Sequence, residues 1–350
     1  MPERGPPENP VHGDFTLSAA AAIPLHKRVT HTPAAPIAIV LNAVLATVVD
    51  GQPKSLCVKR GDGFGLPYGP FDPARHRTFE LGLRSWVAEQ TRVVLGFVEQ
   101  LYTFGDKGRE APAAVIAGGQ SDARVVSVGY LALAPEPAKV AAKDAEWRSW
   151  YDFFPWEDWR RGAPALLQEL ILPRLGAWAA GAGNDRARAE REARIAAAFG
   201  TGEMGWAEER ALERYELMYE AGLVEEAARD RAAPAPASAG RAMTSDHRRI
   251  LATAIGRLRG KLKYRPVIFE LMPETFTLLA LQRTVEAIVG FELHKQNFRR
   301  SVVDGGLVEK TGAVAPQTSG RPAALFRASP SVRRDAAASG LAIPRMRAGP

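Results

Sequence analysis

The sequence predicts an α+β protein in three blocks: a mixed strand-and-helix domain, a helical middle segment, and a C-terminal helix-turn-helix followed by a strand hairpin. Three observations predict it. Strand-like runs surround one amphipathic helix between residues 28 and 138, residues 140–230 are helical by composition, and beyond residue 246 apolar residues at helical spacing give way to two short strands. The last block also carries the charge. Residues 246–330 hold 14 Lys and Arg against 7 Asp and Glu, while the rest of the chain holds 32 of each sign, so the formal net charge of +7 lies in this window. Phosphate is the commonest polyanion that such a basic module meets, which makes nucleic acid the expected partner.

Length and composition bound the rest. A chain of 350 residues has room for two to three domains, and 46% hydrophobic content fills ordinary cores. The one cysteine, Cys57, excludes an intrachain disulfide framework and a Cys-rich zinc site, so a reducing cytoplasm is expected. Residues 1–24, rich in Pro, Gly and Ala, lack an apolar core behind a basic start and read as a loose tail rather than a signal peptide; residues 331–350 read as a second tail. The longest apolar run, residues 34–49, is interrupted by Pro36 and Asn42 and falls short of a membrane span. Its β-branched content predicts a buried strand, and no membrane partner is expected.

Residues 25–138 form the first block. A strand over 37–49 and another over 55–59 precede Leu66-Pro67-Tyr68-Gly69-Pro70-Phe71-Asp72-Pro73 and a helix over 78–90; Val98 to Asp106 and a strand over 125–133 follow. This order resembles a Nudix domain, an α/β/α sandwich in which Leu-Pro-x-Gly opens a loop and helix that normally bind divalent metal. In that family an Arg-Glu-apolar-x-Glu-Glu run gathers carboxylates on one helix face, where hard oxygen ligands hold Mg²⁺ against a pyrophosphate. Here the run is broken. Counted from Gly69, the trio becomes Arg84, Val87 and Ala88; counted from Arg84, it becomes Ser85, Ala88 and Glu89; matched at its end, it becomes Trp86, Glu89 and Gln90. No register keeps more than one carboxylate, so the resemblance implies a Nudix fold without Nudix hydrolysis, with no metal and no cofactor. The enzyme alternative, an active nucleotide pyrophosphatase, requires a set such as Asp72, Glu80 and Glu89 to converge.

The middle segment, residues 139–230, starts at a cluster of Trp147, Trp150, Tyr151, Phe153, Phe154, Trp156 and Trp159, a density that means a core or a subunit interface. An Ala/Pro/Ser hinge over 231–245 links it to the last block.

In residues 246–330, the cluster Thr244-Ser245-Asp246 opens a helix with Leu251, Ala254, Ile255, Leu258 and Leu262 on one face, ending before Pro266. Val267 to Leu271 is a short β-branched and aromatic run. A second helix over 277–289 ends at Gly290, and residues 293–303 form the candidate recognition helix. Its pairs Lys295/Arg299 and Gln296/Arg300 stack donors on the side away from Phe298 and Val302. Residues 307–310 and 323–327 read as the strands of a wing, with Arg321 in the polar loop between them. The whole reads as a winged helix-turn-helix; the alternative is a basic bundle with a hairpin that binds protein.

Leu101 to Asp106, Arg124 to Leu133, Asn297-Phe298-Arg299-Arg300 and Gly320-Arg321-Pro322-Ala323 resemble the Nudix-related regulators of NAD metabolism, the NrtR type. That resemblance implies a repressor, or occasionally an activator, of NAD-biosynthesis genes, whose Nudix domain senses ADP-ribose or a related nucleotide and whose winged helices, paired in a homodimer, bind a palindromic operator in double-stranded DNA. Arg60, Phe104, Asp106, Arg109 and Arg124 are the matching ligand-binding positions, and Lys59 joins them as a cation beside the cleft. Lys295, Gln296, Asn297, Arg299, Arg300 and Arg321 are the expected DNA contacts. A constitutive DNA-binding scaffold with an inert domain is the third possibility.

Overall fold

The computed structural model describes residues 36–109, 123–137, 140, 142–234, 236, 239–315, 322–330, 332 and 341. The expected N-terminal tail and Arg321 lie outside the described residues, as does nearly all of the expected C-terminal tail. The strands are β1 (Ile37–Val49), β2 (Gln52–Arg60), β3 (Gly63–Gly65), β4 (Tyr68–Pro70), β5 (Phe97–Phe104), β6 (Arg124–Leu133), β7 (Ala145–Ser149), β8 (Val308–Val314) and β9 (Ala324–Ala328). The helices are α1 (Phe79–Thr91), α2 (Trp150–Phe153), α3 (Leu172–Ala180), α4 (Asp185–Phe199), α5 (Ala211–Glu220), α6 (Glu225–Asp230), α7 (His247–Leu262), α8 (Leu278–Val289) and α9 (Lys295–Asp304).

β1 is the centre of the main sheet. It runs parallel to β6, with Ile37 opposite Arg124, and antiparallel to β2 and β4; β5 closes one edge on β6, and β3 and β7 pair with β2. Asp50 and Gly51 turn β1 into β2 with φ of 51° and 69°, the paired left-handed conformation of a two-residue hairpin whose twist matches the strands. β1 is apolar on both faces because both are covered. Leu41, Ala43 and Leu45 pack with Leu83 and Val87 of α1. Val44 and Ala46 face the opposite way, into the cluster that contains Ile250, Leu251, Ala254, Ile255 and Leu258 of α7.

α7 is therefore the second helical layer of the sandwich, although charge groups it with the C-terminal module. It touches β1, β5 and β6 through the apolar stripe read from the sequence. Without it that face of the sheet would stand open to water. Much of its charge is internal as well: Arg248 pairs with Glu226, Arg249 with Asp106 and Glu216, Arg259 with Glu157, Lys261 with Glu99, and Lys263 with Glu208 and Glu209. The excess of cations after residue 246 thus balances carboxylates from elsewhere in the fold. Residues 268–328 alone hold 7 Lys and Arg against 6 Asp and Glu.

The aromatic cluster is core. Trp150, Phe153, Phe154, Trp156 and Trp159 are buried, and the Trp150 indole donates to the Ser55 hydroxyl at 2.7 Å. The segment that reads as helical also contributes β7, which extends the sheet beyond β2. The run Val267–Leu271 forms a 3₁₀ turn: between Pro266 and Pro273 it is too short to pair, and the Phe269 amide donates back to the Pro266 carbonyl.

α8, α9 and the β8–β9 hairpin form the C-terminal module. The Thr277 hydroxyl caps α8 by accepting from the Ala280 amide at 3.1 Å, and Gly290, at φ 86°, ends it in the left-handed region. Its last carbonyls are bound from outside: the Tyr151 hydroxyl donates to Ala287 at 2.7 Å, Arg259 to Ile288 at 2.8 Å, and the Trp159 amide to Gly290 at 2.6 Å. These contacts join the module to α7 and to the aromatic segment.

Candidate nucleic-acid interface and effector cleft

The side chains of α8 set the entry to α9, the candidate recognition helix. Gln282 donates to the Leu293 carbonyl at 2.9 Å and to Glu286 at 2.8 Å, and Glu286 accepts from the Leu293 amide at 2.9 Å. This closes the turn between α8 and α9. Phe298 and Val302 then anchor α9 in the module, while Lys295, Gln296, Asn297, Arg299 and Arg300 are all exposed on the opposite side. The side-chain Oδ1 of Asn297 accepts from Arg300 at 3.1 Å, which holds the guanidinium beside it. Lys295 and Arg299 also line a cavity of about 610 Å³ with Lys310 and Thr277, between α9 and the hairpin. The strands are longer than the sequence reading: β8 reaches Val314, and the Arg327 guanidinium is held by Glu309 at 2.5 Å.

Topology gathers the expected effector residues at one end of the sheet. There β1 and β6 begin and β2 and β5 finish, which brings Arg60, Tyr68, Phe104 and Arg124 near one another in register. Lys59 and Arg60 are exposed, Phe104 is buried, and Arg124 donates to the Gly105 carbonyl. The N-terminal turn of α7 closes this end. Nδ1 of His247 accepts from the Leu66 amide at 3.0 Å, its ring meets Tyr68 at 5.0 Å, and Arg249 lies over the Phe104 ring at 5.2 Å. Asp106 and Arg109 are engaged rather than open: Asp106 pairs with Arg249 at 2.5 Å, and Arg109 pairs with Glu216 at 2.8 Å and Asp246 at 3.5 Å while stacking on Tyr219. The hydrogen bond from Arg249 holds the Asp106 carboxyl below its ordinary range, whereas burial pushes Asp246 up to about 7.

Sequence reasoning missed His247, Arg249 and Glu216. The one available signal was the pair Arg248-Arg249 inside an otherwise apolar helix, since charge at buried helical positions calls for partners.

The broken carboxylate run has a structural occupant. Trp86 donates to the Pro70 carbonyl at 2.8 Å, and one turn later Gln90 donates to the Tyr68 carbonyl at 2.5 Å and accepts from the Tyr68 amide at 3.2 Å. A β-carbon at Gly69 would run into the Trp86 ring, so glycine is what lets helix and strand close together. Glu80 is paired with Arg84 at 2.8 Å, Glu89 is exposed, and Asp72 accepts from the Ala74 amide at 2.9 Å. Among the described residues no three His, Cys, Asp or Glu side chains converge as a metal site.

Residues 268–328 match the family model of the NrtR DNA-binding winged helix domain. The C-terminal module is similar to the NrtR winged helix domain. An 82-residue stretch is 40% identical to an ADPR-responsive transcriptional repressor of Acinetobacter baylyi, covering 23% of this chain and 32% of that protein. The chain thus spans about a third of the length of the curated relative it matches. The crystal structure of Shewanella oneidensis NrtR is similar over 88% of this chain and 99% of its own, with a TM-score of 0.50 and 21% identity. The likeness is one of fold: a Nudix-like sandwich with a C-terminal winged helix.

Proposed function

We propose that the chain is a DNA-binding transcriptional regulator, a repressor of NAD-biosynthesis or salvage genes, whose Nudix-type domain senses an NAD-derived nucleotide such as ADP-ribose without hydrolysing it. The observation that carries this reading is the recognition helix. Five exposed donors stand on one face of α9, in a module that matches a DNA-binding winged helix family. In this reading Lys295, Gln296, Asn297, Arg299 and Arg300 enter the major groove, and Arg321 and Lys310 follow the backbone from the wing. A homodimer reading a palindromic operator fits a module with a single recognition helix.

For the sensor, support comes from the cations at one sheet end and from the ADPR-responsive relative. Lys59, Arg60, Arg109 and Arg124 suit a diphosphate, and Phe104 and Tyr68 supply aromatic surface. The lack of turnover is supported by Trp86 and Gln90, which spend the catalytic helix face on the backbone of β4.

The test uses a duplex selected by the full-length chain from a random pool, read by fluorescence anisotropy. Replacing Arg299 and Arg300 by Ala should weaken binding by roughly 100-fold, since each good bidentate contact contributes on the order of 1–3 kcal/mol. ADP-ribose should lower DNA affinity and be recovered intact after incubation with Mg²⁺. Selection of no preferred duplex would remove the regulator; Mg²⁺-dependent turnover lost in Glu89→Gln would restore the pyrophosphatase.

A further inference from the structure

Two arginines at the sheet end that gathers the expected effector residues are held by three carboxylates of the chain itself. Arg249 of α7 meets Asp106 after β5 at 2.5 Å, Glu216 of α5 at 2.5 Å and Asp246 at 3.3 Å. Arg109 donates to both oxygens of Glu216, at 2.8 and 3.3 Å, and meets Asp246 at 3.5 Å. Glu216 therefore bridges two guanidiniums, one of its oxygens shared by both, which is the bridging position a pyrophosphate would take between them. The arginines are rigidly placed: Arg249 lies over Phe104 and Arg109 lies 3.7 Å over the Tyr219 ring. Only 12% of the Arg109 side chain and 15% of that of Arg249 are exposed, but Glu216 and Asp106 are 29% and 53% exposed and so are free to swing away into solvent.

We propose that Arg109 and Arg249 receive the pyrophosphate of the effector, and that Glu216 and Asp106 are internal competitors which it displaces, releasing the first turn of α7 from α5. This rests on the sensor reading above and adds to it the residues and the exchange by which the effector acts. An empty pair of half-buried arginines would repel one another, so the chain supplies its own anions in the effector's absence. A diphosphate replaces them with more charge and with oxygens spaced for two planar forks. A nucleoside brings no anion to displace Glu216 and Asp106, which favours ligands that carry a pyrophosphate. Asp246, buried between both arginines, stays behind; its upward shift to about 7 lets it take a proton as the phosphates arrive.

Displacement at this end reaches the other. α7 is a 16-residue helix, about 24 Å long. At its far end Arg259 donates to the Ile288 carbonyl of α8 and pairs with Glu157. Any rotation of α7 is thereby passed to the helix that sets the entry of α9.

The test is calorimetric titration of the full-length chain with ADP-ribose, and with adenosine as a probe lacking the pyrophosphate. Glu216→Gln, which keeps the shape and removes the competing charge, should bind ADP-ribose about tenfold more tightly than the wild type, and Arg249→Lys, which loses the fork, about tenfold more weakly. Adenosine should not separate the three proteins. Hydrogen exchange should show faster opening of residues 211–220 and 247–251 on adding ADP-ribose to the wild type. A role in stability alone would lower the melting temperature of both variants and tighten neither. Unchanged or weaker ADP-ribose binding by Glu216→Gln overturns the proposal, and this isosteric variant decides alone if Arg249→Lys folds poorly. If the wild type binds ADP-ribose and both variants match it, the Arg249 contact and the exchange both fall while the sensor reading stands; if the wild type binds none, the sensor reading falls too.

Discussion

His247 and Asp246 are neighbours in sequence with opposite responses to pH. Nδ1 of His247 accepts a hydrogen bond, so the ring must stay neutral, and burial with the nearby charges of Arg60 and Arg229 pushes it down to about 3. A histidine depressed from its usual value contributes stability that is present above about 6.5 and is lost as pH falls toward 3. Asp246 is raised instead, by burial against the pull of Arg109 and Arg249 and with Glu216 opposite, so its contribution is full at low pH and lost as pH rises through about 7. Substituting His247→Asn keeps an acceptor for Leu66 and removes the titration. The stability of the variant minus that of the wild type should therefore rise by about 2 kcal/mol between pH 6.5 and pH 5. Urea unfolding at the two values measures it; a difference that stays flat means the ring is not buried neutral. At this scale the broken metal box was legible, because it is a pattern within one helix. Arg249 was not, because its partners Asp106 and Glu216 come from other elements and only the fold brings them together.

Among elements, those with a full hydrophobic period and a cap were legible. Thr78 caps α1 and Thr277 caps α8, each by accepting from the amide three residues on, and Gly290 stops α8. β3 and β4 have three residues each and β7 five, too few to display a period, so pairing with β1 and β2 rather than local pattern creates them. α7 shows the other limit: its stripe was read correctly, but a stripe does not say which surface it covers. The same ambiguity hid the packing of the module against the aromatic segment, where Glu157 sits fully buried between Arg214 at 2.5 Å and Arg259. Against the burial that would raise it, the two arginines hold its carboxyl below the ordinary range. Glu157→Gln would leave two guanidiniums buried and facing each other, and breaking a buried pair in this way costs about 3–5 kcal/mol. A fall of that size in urea unfolding is expected, together with faster hydrogen exchange in α8, whose Ile288 carbonyl depends on Arg259. Loss of less than about 1 kcal/mol would indicate that water replaces the carboxylate.

At the scale of the molecule, the described residues from Pro36 onward form one compact unit, so the winged helix is not a separate body tethered to a sensor. Its contact with the rest includes the packing of α8 on β1, β2 and α7 and the carbonyl end of α8, held by Tyr151, Arg259 and Trp159. A ligand in the cleft biases DNA binding only as far as it interacts differently with the two states of this joint. Linkage then fixes a relation that needs no knowledge of the path: any factor by which ADP-ribose weakens DNA binding in the proposed regulator equals the factor by which DNA weakens ADP-ribose binding. Typical couplings span about 5- to 150-fold, within reach of calorimetry. Tyr151→Phe deletes the 2.7 Å hydrogen bond to Ala287 and touches neither ligand. It should leave ADP-ribose affinity without DNA, and DNA affinity without ADP-ribose, within about twofold of the wild type, since the bond is worth roughly 1 kcal/mol and acts outside both sites. The coupling factor should shrink, because one of the hydrogen bonds that make α8 follow the aromatic segment is gone. Titrating ADP-ribose into the free chain and into the chain saturated with its selected duplex gives the factor directly for both proteins. An ADP-ribose affinity that saturating DNA does not alter would remove the regulatory link even with both ligands bound, and an undiminished factor in Tyr151→Phe would move the link away from this joint.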